Sequence, residues 1–594
     1  MSTTENITND GSGPILVEDR TSDARARIYK TVDNSKMAAE VIEALDQRGG
    51  LYQHAGRMVE VLPFAGAETR DGKTREVVRY SIVPVTEARL RLLITRACVL
   101  LKPPDEVGKA ATETSIPRTL PADVLAHEYP FPVLAGIAES PTIRPDGTLI
   151  TEPGYDPASK IYLATDLKVD IPEHPTREDA LAARDKLLDV ISDFAWAEGC
   201  PGESVVLSGL ISTVARPAID GPVPMHAISA TVRGAGKGRV VEVASVIATG
   251  EIPDMQPYPT RDEKEVQKIL LSVALQGAPL LVWDNVVGDF GCASLDSSLT
   301  ATQISGRVLG KSEMAGKNKA PVFRAVQWAT GNQMSPTGDL ARRMMIATID
   351  PRHEHPEERE GPTPGAKWKY PDLIGHARQH RGELLGAVLT IVRAYLAAGC
   401  PEQPMRQMDF IAWSRVIRGA IIWCGMRDPA ETALAARASD RTLERNRLLI
   451  DAWPYMNGGA ARVQDLVEAA TIDPRSEWAE VLEEFHPAAK YGDLRAEILG
   501  KILRQVKGSI IGQYRIVQPA VPEGQKAPKV ARWCRIYASD PIPVQTPPVL
   551  RKGVPDLPPE ATARRNQGST IEVALDRHDN SPVAPATSLL DYVH

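Results

Sequence analysis

The chain has 594 residues, 43% hydrophobic and 24% charged, which is enough for several soluble domains with cores of their own. Its 69 basic and 76 acidic residues leave a formal charge of −7, which excludes a uniformly basic nucleic-acid coat but not a local basic channel. The six cysteines (Cys98, Cys200, Cys292, Cys400, Cys424 and Cys534) form no CxxC pair. That excludes a disulfide framework and a compact all-cysteine zinc site, and it points to a reducing compartment. The segment MSTTENITNDGSG has no charged-then-apolar signal pattern, and no stretch reaches about 18 apolar residues, so a cytoplasmic protein without a membrane partner is expected.

In chain order, residues 1–33 are polar and read as a flexible N-terminus. Met37, Val41, Ile42 and Leu45 recur at helical spacing. Strand-like pieces follow at 50–52, 58–62 and 77–82, with Asp71-Gly72 as a turn signal, and then a helix over 86–101. Together they predict a small α+β domain over 34–130. Residues 131–225 read as a linker and helical collar, in which short strands and turns from Ala135 to Asp156 lead to helices near 177–198 and 205–214. From His226 the pattern changes to buried strand, glycine loop and helix, the opening of an α/β ATPase core expected over 226–355, and a helical subdomain is expected over 356–475. A C-terminal unit follows over 476–540, and then a tail, 541–594, whose nine prolines argue against regular structure.

The chemistry begins after the apolar strand that opens at His226. It runs into Arg233-Gly234-Ala235-Gly236-Lys237-Gly238-Arg239, and a helix from about Val240 to Ile247 leads out. Strand, glycine loop and helix are the context of a phosphate-binding loop. Backbone N–H groups of Gly234, Ala235, Gly236, Gly238 and Arg239, with the helix N-terminus, suit phosphate oxygens. Lys237 would reach the β- and γ-phosphates of ATP. Two positions depart from the usual loop: Val232 stands where its first glycine is expected, and Gly238 replaces the hydroxyl residue that touches magnesium.

Downstream, the apolar run Ala278–Trp283 delivers Asp284 at a strand end, a position suited to a Mg²⁺ ligand. Asn285 stands where many ATPases carry a water-polarising glutamate. The run Val322–Trp328 leads to Asn332, which suits the attacking water or the γ-phosphate. Arg342 and Arg343 follow in GDLARR and suit a finger presented to a neighbouring subunit. His353 and His355 lack the HExxH arrangement and read as a polar loop.

This ordered set resembles the AAA+ or superfamily-III-like helicase ATPases of phages and integrated mobile elements, often called primase-helicases. The resemblance spans roughly 130–540 and lies in GIAESPTIRPDGTLITEPGYD, ATVRGAGKG, LLVWDNV, LTATQISGRVLGKS, WATGNQ, GDLARRMMIATID and FIAWSRVIRGAIIWCGMRDP. It implies an AAA+-like P-loop core with an α+β N-terminal region, a helical subdomain and a C-terminal winged-helix-like domain. It assigns Lys237 to the phosphate loop, Asp284 to magnesium, Asn332 to the sensor position, and Arg342 or Arg343 to the finger. It also implies self-association into a ring, a hexamer among its relatives, acting on DNA with ATP and Mg²⁺ and with replication proteins of the host or element as further partners. Residues 34–130 carry no clustered carboxylates beyond Asp105-Glu106, so they offer no primase chemistry.

Two basic segments fit single-stranded or forked DNA. Residues 303–324 hold five basic residues and one acidic residue and read as a hairpin inserted before the Asn332 strand. In similar ring helicases that hairpin enters the pore, which would bring Lys311, Lys317 and Lys319 to backbone phosphates. Arg307 suits either the hairpin or a subunit interface. Residues 501–540 carry eight basic and two acidic residues in a helix–strand–loop–strand pattern, with Lys526 and Lys529 on the wing. The expected activity is ATP-dependent DNA unwinding or translocation. The alternatives are a DNA-loading or remodelling ATPase without helicase activity, or a nucleotide-responsive DNA-binding assembly protein.

Overall fold

The computed structural model describes residues 25–544, apart from 71–72, 105, 107–108, 261, 308–313, 316–319, 354, 363–365, 434–440, 455–459, 486–494, 509 and 522–529. The chain divides into two compact units, with the boundary between Asp451 and Ala452.

The N-terminal region pairs β1 (Ala26–Tyr29) in parallel with β5 (Cys98–Lys102), and β6 (Thr112–Glu113) adds an antiparallel edge. Helices α1 (Asn34–Arg48), α2 (Glu87–Ala97) and α3 (Leu120–Ala126) cover this sheet through Leu45, Leu90, Leu93 and Leu120, all buried. The helix expected over 86–101 therefore ends early. Cys98, Val99, Leu100 and Leu101 are all buried, and such a short, fully apolar run serves a strand as readily as a helix. A second sheet is formed by β2 (Tyr52–His54), β3 (Arg57–Arg70) and β4 (Lys73–Pro84). The β3–β4 ladder runs unbroken from Val59–Pro84 to Arg70–Lys73. The sequence pattern stops short of the full hairpin, because Gly66, Ala67, Glu68 and Thr69 show no apolar alternation while the backbone pairing continues through them.

Short strands β7 (Gly136–Ala138), β8 (Thr142–Ile143), β9 (Leu149–Ile150), β10 (Gly154–Asp156) and β11 (Ile161–Leu163) form two small sheets. Arg144 holds them together by pairing with Asp156 at 2.7 Å. Helices α4 (Arg177–Val190) and α5 (Gly202–Val214) follow.

The central sheet is built from β12 (Met225–Ala230), β13 (Met255–Pro257), β14 (Leu280–Phe290), β17 (Val326–Pro336) and β18 (Met344–Ile349). Between β14 and β17 lies the antiparallel pair β15 (Gly306–Arg307) and β16 (Met314–Ala315). The order is β13-β14-β17-β12-β18, with every pairing parallel. Alternate side chains face opposite layers. Ile228, Ala230, Val282, Trp328, Ala347 and Ile349 pack on α4, α5, α6 (Lys237–Thr249), α9 (Leu373–Gln379) and α10 (Arg381–Ala397). Met225, Ala227, Leu281, Trp283, Ala329 and Met344 pack on α7 (Glu263–Gln276) and α8 (Ala293–Ser298). Such both-sided burial is why these strands read as near-continuous apolar runs. The chain is thus a mixed α/β protein with a parallel core sheet and helical subdomains.

The N-terminal region is tied to this core. The ring of His54 lies between two carbonyls, with Nδ1 2.9 Å from Leu134 O and Nε2 3.1 Å from Ala274 O of α7. Arg79 of β4 pairs with Glu251, just beyond α6.

In the second unit, helices Val463–Ile472, Glu477–Phe485 and Ala496–Val506 accompany strands Ala461–Arg462, Ile510–Ile511, Tyr514–Val517 and Arg532–Tyr537. The expected start at 476 falls between its first two helices. Among the described residues, no helix is long and apolar enough to cross a membrane.

Candidate functional site

Strand β12 ends at Ala230 and α6 begins at Lys237, so the glycine loop joins the carboxyl end of a parallel strand to a helix N-terminus. Gly234 (φ 71°) and Gly236 (φ 90°) hold the left-handed backbone that explains glycine at both places. Val232 packs against the core, which explains why the usual first glycine of such loops is missing. Gly238 has no neighbour within 4 Å of the space a Cβ would take, so packing does not require glycine there.

The loop after β12 leads across to α6 and β13 on one side, whereas the chain after β17 crosses β12 to reach β18 on the other. Open α/β sheets form a crevice at such a reversal, at the carboxyl ends of the strands. Asn332 of β17 stands opposite Ala230, and Lys237 Nζ donates a 2.6 Å hydrogen bond to Asn332 Oδ1.

One strand further out, the β14–β17 register slips. Trp283 opposes Ala329 and Val286 opposes Gly331, which leaves Asp284 and Asn285 against Thr330 alone. This is a bulge, a device that re-aims side chains beside functional sites. Asn285 takes the left-handed conformation it requires, at φ 52°. Thr330 Oγ1 donates to Asp284 Oδ1 at 2.5 Å and accepts from the Asn285 N–H at 3.3 Å. Burial lowers the Lys237 pKa, opposed by the nearby Asp284 charge. The structure therefore gathers Lys237, Asp284 and Asn332, three residues read from sequence, around one cleft of about 490 Å³. The cleft is also lined by Thr330 and Glu242, neither of which was singled out from the sequence.

Gly234, Ala235 and Gly236 also border a second cavity of about 850 Å³, with Phe194, Trp368 and Tyr370 in its wall. That volume lies in the range of small-molecule sites. These aromatic residues lie far from the motifs in sequence, and no local pattern marks them.

Arg342 and Arg343 are not part of this cleft. They precede β18 at its amino end, about 20 Å from its carboxyl end for six residues of strand. Arg343 is buried, pairs with Asp339 (3.1 Å) and Asp409 (3.5 Å), and donates to Asp296 O (3.2 Å). Arg342 is half-exposed and pairs with the same two acids at 3.1 and 3.6 Å.

Of the DNA candidates, Lys311, Lys317, Lys319, Lys526 and Lys529 lie outside the described residues. The β15–β16 pairing shows antiparallel strands where the inserted hairpin was expected. His355 N–H donates to His353 Nδ1 at 3.1 Å, and no cluster of three or more potential metal-binding side chains occurs among the described residues.

No family model matches the sequence, and no curated protein matches it. The chain is similar to a solved structure described as "SCCmec type IV Cch - active helicase", at 9% identity and a TM-score of 0.26, over 82% of this chain and 98% of that one.

Proposed function

We propose that this chain is an ATP-driven DNA translocase with helicase activity, assembled as a ring and serving replication of a phage or mobile element. The observation that carries the reading is the Lys237–Asn332 hydrogen bond beside the Thr330-held Asp284, at the carboxyl ends of neighbouring parallel strands next to a glycine loop. Lys237 is poised for the phosphates. Asn332, released from Lys237 when phosphate arrives, can hold the γ-phosphate or a water.

A single carboxylate suits Mg²⁺, which is held by one or two protein oxygens together with substrate phosphates and water. Asp284 is the residue that would hold it. The ion would neutralise charge on the phosphates. The aromatic cavity, which shares Gly234, Ala235 and Gly236 with the cleft, offers room for the nucleoside and the phosphates nearest it. Lys311, Lys317 and Lys319 are the proposed contacts to single-stranded DNA, and Lys526 and Lys529 those of the C-terminal unit. Arg342 is the candidate finger for a neighbouring subunit, whereas the burial of Arg343 suits a packing role.

The test is phosphate release with and without single-stranded DNA, together with strand displacement from forked and blunt duplexes. Wild-type turnover stimulated by DNA, and lost in Lys237→Ala, supports the reading. Wild-type-like turnover in Lys237→Ala overturns the assigned loop. DNA-stimulated hydrolysis without strand displacement leaves a loader or remodeller. A nucleotide-responsive assembly protein is favoured by one observation: the bulge presents Asn285, whose amide orients water but takes no proton from it. Tight ATP binding without phosphate release would establish that alternative.

A further inference from the structure

The β3–β4 hairpin of the N-terminal region reaches the second cavity. Arg75, on β4, lines it together with the glycine loop. Residues 75, 77 and 79 share one face of this strand. Val77 on that face is buried, and Arg79 is fastened by ion pairs to Glu251 and to Asp254, the latter at 3.5 Å. Arg75 therefore stands about 13 Å further along the hairpin than its anchor at Arg79. Arg75 also lies close enough to Arg381, which donates to Ile247 O and Ala248 O at the carboxyl end of α6, for the two charges to repel.

The charges around Arg75 are unequal in their commitments. Two of the wall's carboxylates accept backbone N–H groups, Asp193 that of Lys369 at 2.7 Å and Asp372 that of Gly375 at 2.9 Å as the cap of α9. The third, Glu357, is exposed beside His355, 3.6 Å away. Arg359 lies over the Trp368 ring and donates to the carbonyls of Pro356 and Pro362. Arg75 has no ion pair among the described residues, although it is a cation at a cavity that opens on a phosphate loop. An arginine there matches an anion with several oxygens.

We propose that Arg75 contacts the phosphates of the bound nucleoside triphosphate, so that the N-terminal hairpin completes the nucleotide site of its own chain and senses its occupancy. This rests on the nucleotide reading given above. Binding of ATP then draws the hairpin onto the core, and release frees it. Occupancy is transmitted to the N-terminal region through Arg75, with the Arg79 ion pairs as the fixed end of the lever.

The experiment uses the full chain with a fluorescent ATP analogue at equilibrium, ATP kinetics, and hydrogen exchange of residues 73–84 with and without ATP. Arg75→Ala is expected to weaken nucleotide binding about tenfold, the scale of one charge-assisted hydrogen bond at a partly exposed site. The loss should fall on KM more than on kcat, and Arg75→Lys should recover part of it. ATP should slow exchange in the hairpin of the wild type and not in Arg75→Ala. Arg79→Ala, which keeps Arg75 but frees its anchor, should weaken binding in the same direction. If the wild type binds ATP, equal affinity in Arg75→Ala together with hairpin exchange indifferent to ATP overturns this inference alone. A wild type that binds no ATP overturns the nucleotide reading and this inference with it.

Discussion

Replacing Thr330 with valine keeps the branched shape of the side chain and removes one oxygen. That oxygen makes two bonds at the bulge, one to Asp284 Oδ1 and one from the Asn285 N–H. The first is charge-assisted, and losing such a bond costs about 1.5–3 kcal/mol. The second loss strands a part-buried amide at a further cost of roughly 1 kcal/mol, reduced by water from the open cleft. The effect on stability should therefore be about 2–4 kcal/mol, toward the lower figure where water from the open cleft replaces the lost bonds.

The effect on turnover depends on whether Asp284 must be oriented. If it must, kcat for phosphate release should fall about 10- to 100-fold, the rate equivalent of about 1.4–2.7 kcal/mol. The Mg²⁺ concentration for half-maximal rate should rise in parallel. Thr330→Ser keeps the oxygen and should stay near wild type in both. The assay is phosphate release titrated with Mg²⁺, alongside thermal unfolding to show that the variant is folded. Wild-type kcat and Mg²⁺ dependence in Thr330→Val, in a chain that Asp284→Ala inactivates, would refute the idea that Thr330 positions the carboxylate.

Gly331→Ala places a Cβ 2.2 Å from Val286 O and 2.6 Å from the Met334 side chain, so the bulge must shift. A loss of roughly 2–3 kcal/mol or more is expected in denaturant unfolding, and an unchanged midpoint would count against this register. Gly238→Ser enters open space in the first turn of α6 and should gain a few tenths of a kcal/mol from helix propensity. It should also tighten Mg²⁺ dependence if the hydroxyl reaches the ion, and a weaker Mg²⁺ response would speak against Asp284 and this turn sharing it. Burial first, then Glu251, push the Glu139 carboxyl from 4.5 up to about 7, against the pull of Arg381 and Arg79. The folded state thus holds the extra proton, so stability is fully present below about pH 4.5 and falls as pH rises through 7. Glu139→Gln should flatten that slope and exceed the wild type above pH 7 by an amount on the order of 3 kcal/mol; parallel stability–pH curves would contradict it. Mixing Lys237→Ala with Arg342→Ala should restore ATPase activity absent from either alone, whereas mixed rings without recovery would argue against a shared site.

How far the sequence could be read follows the range of each interaction. Lys237, Asp284 and Asn332 each close an apolar run or a glycine loop, and a strand end is a local feature. Thr330 sits in the same stretch as Asn332, yet its role exists only because the register opposes it to both Asp284 and Asn285. No spacing in one strand announces a slip between two. Asp409 is likewise silent in sequence, since its meaning comes from Arg342 and Arg343 more than 60 residues earlier. The outer β3–β4 hairpin escaped because backbone hydrogen bonds need no hydrophobic pattern.

The arginine pair shows where local reading and topology meet. A parallel sheet sends all its strands the same way, so the segment entering β18 must lie at the end opposite the glycine loop. Met225 N–H bonds Arg343 O at 3.0 Å where β12 begins, whereas Ala230 faces Ile349 where the two strands end. The distance between those ends, about 20 Å, is more than an arginine side chain spans. Arg342 therefore has no route to the Lys237 of its own chain without dismantling the sheet. If it serves phosphoryl transfer at all, a second copy must bring its amino-end surface against the first copy's cleft. That contact joins two different surfaces, and repeated it closes into a ring or runs on as a filament. Arg342 keeps its two acidic partners in the isolated chain, so entering a neighbour's site would exchange exposed ion pairs, worth at most about 1 kcal/mol, for a charge-assisted phosphate contact. The exchange favours such a contact only when phosphate is present, so if Arg342 is a finger, the contact between copies should depend on nucleotide.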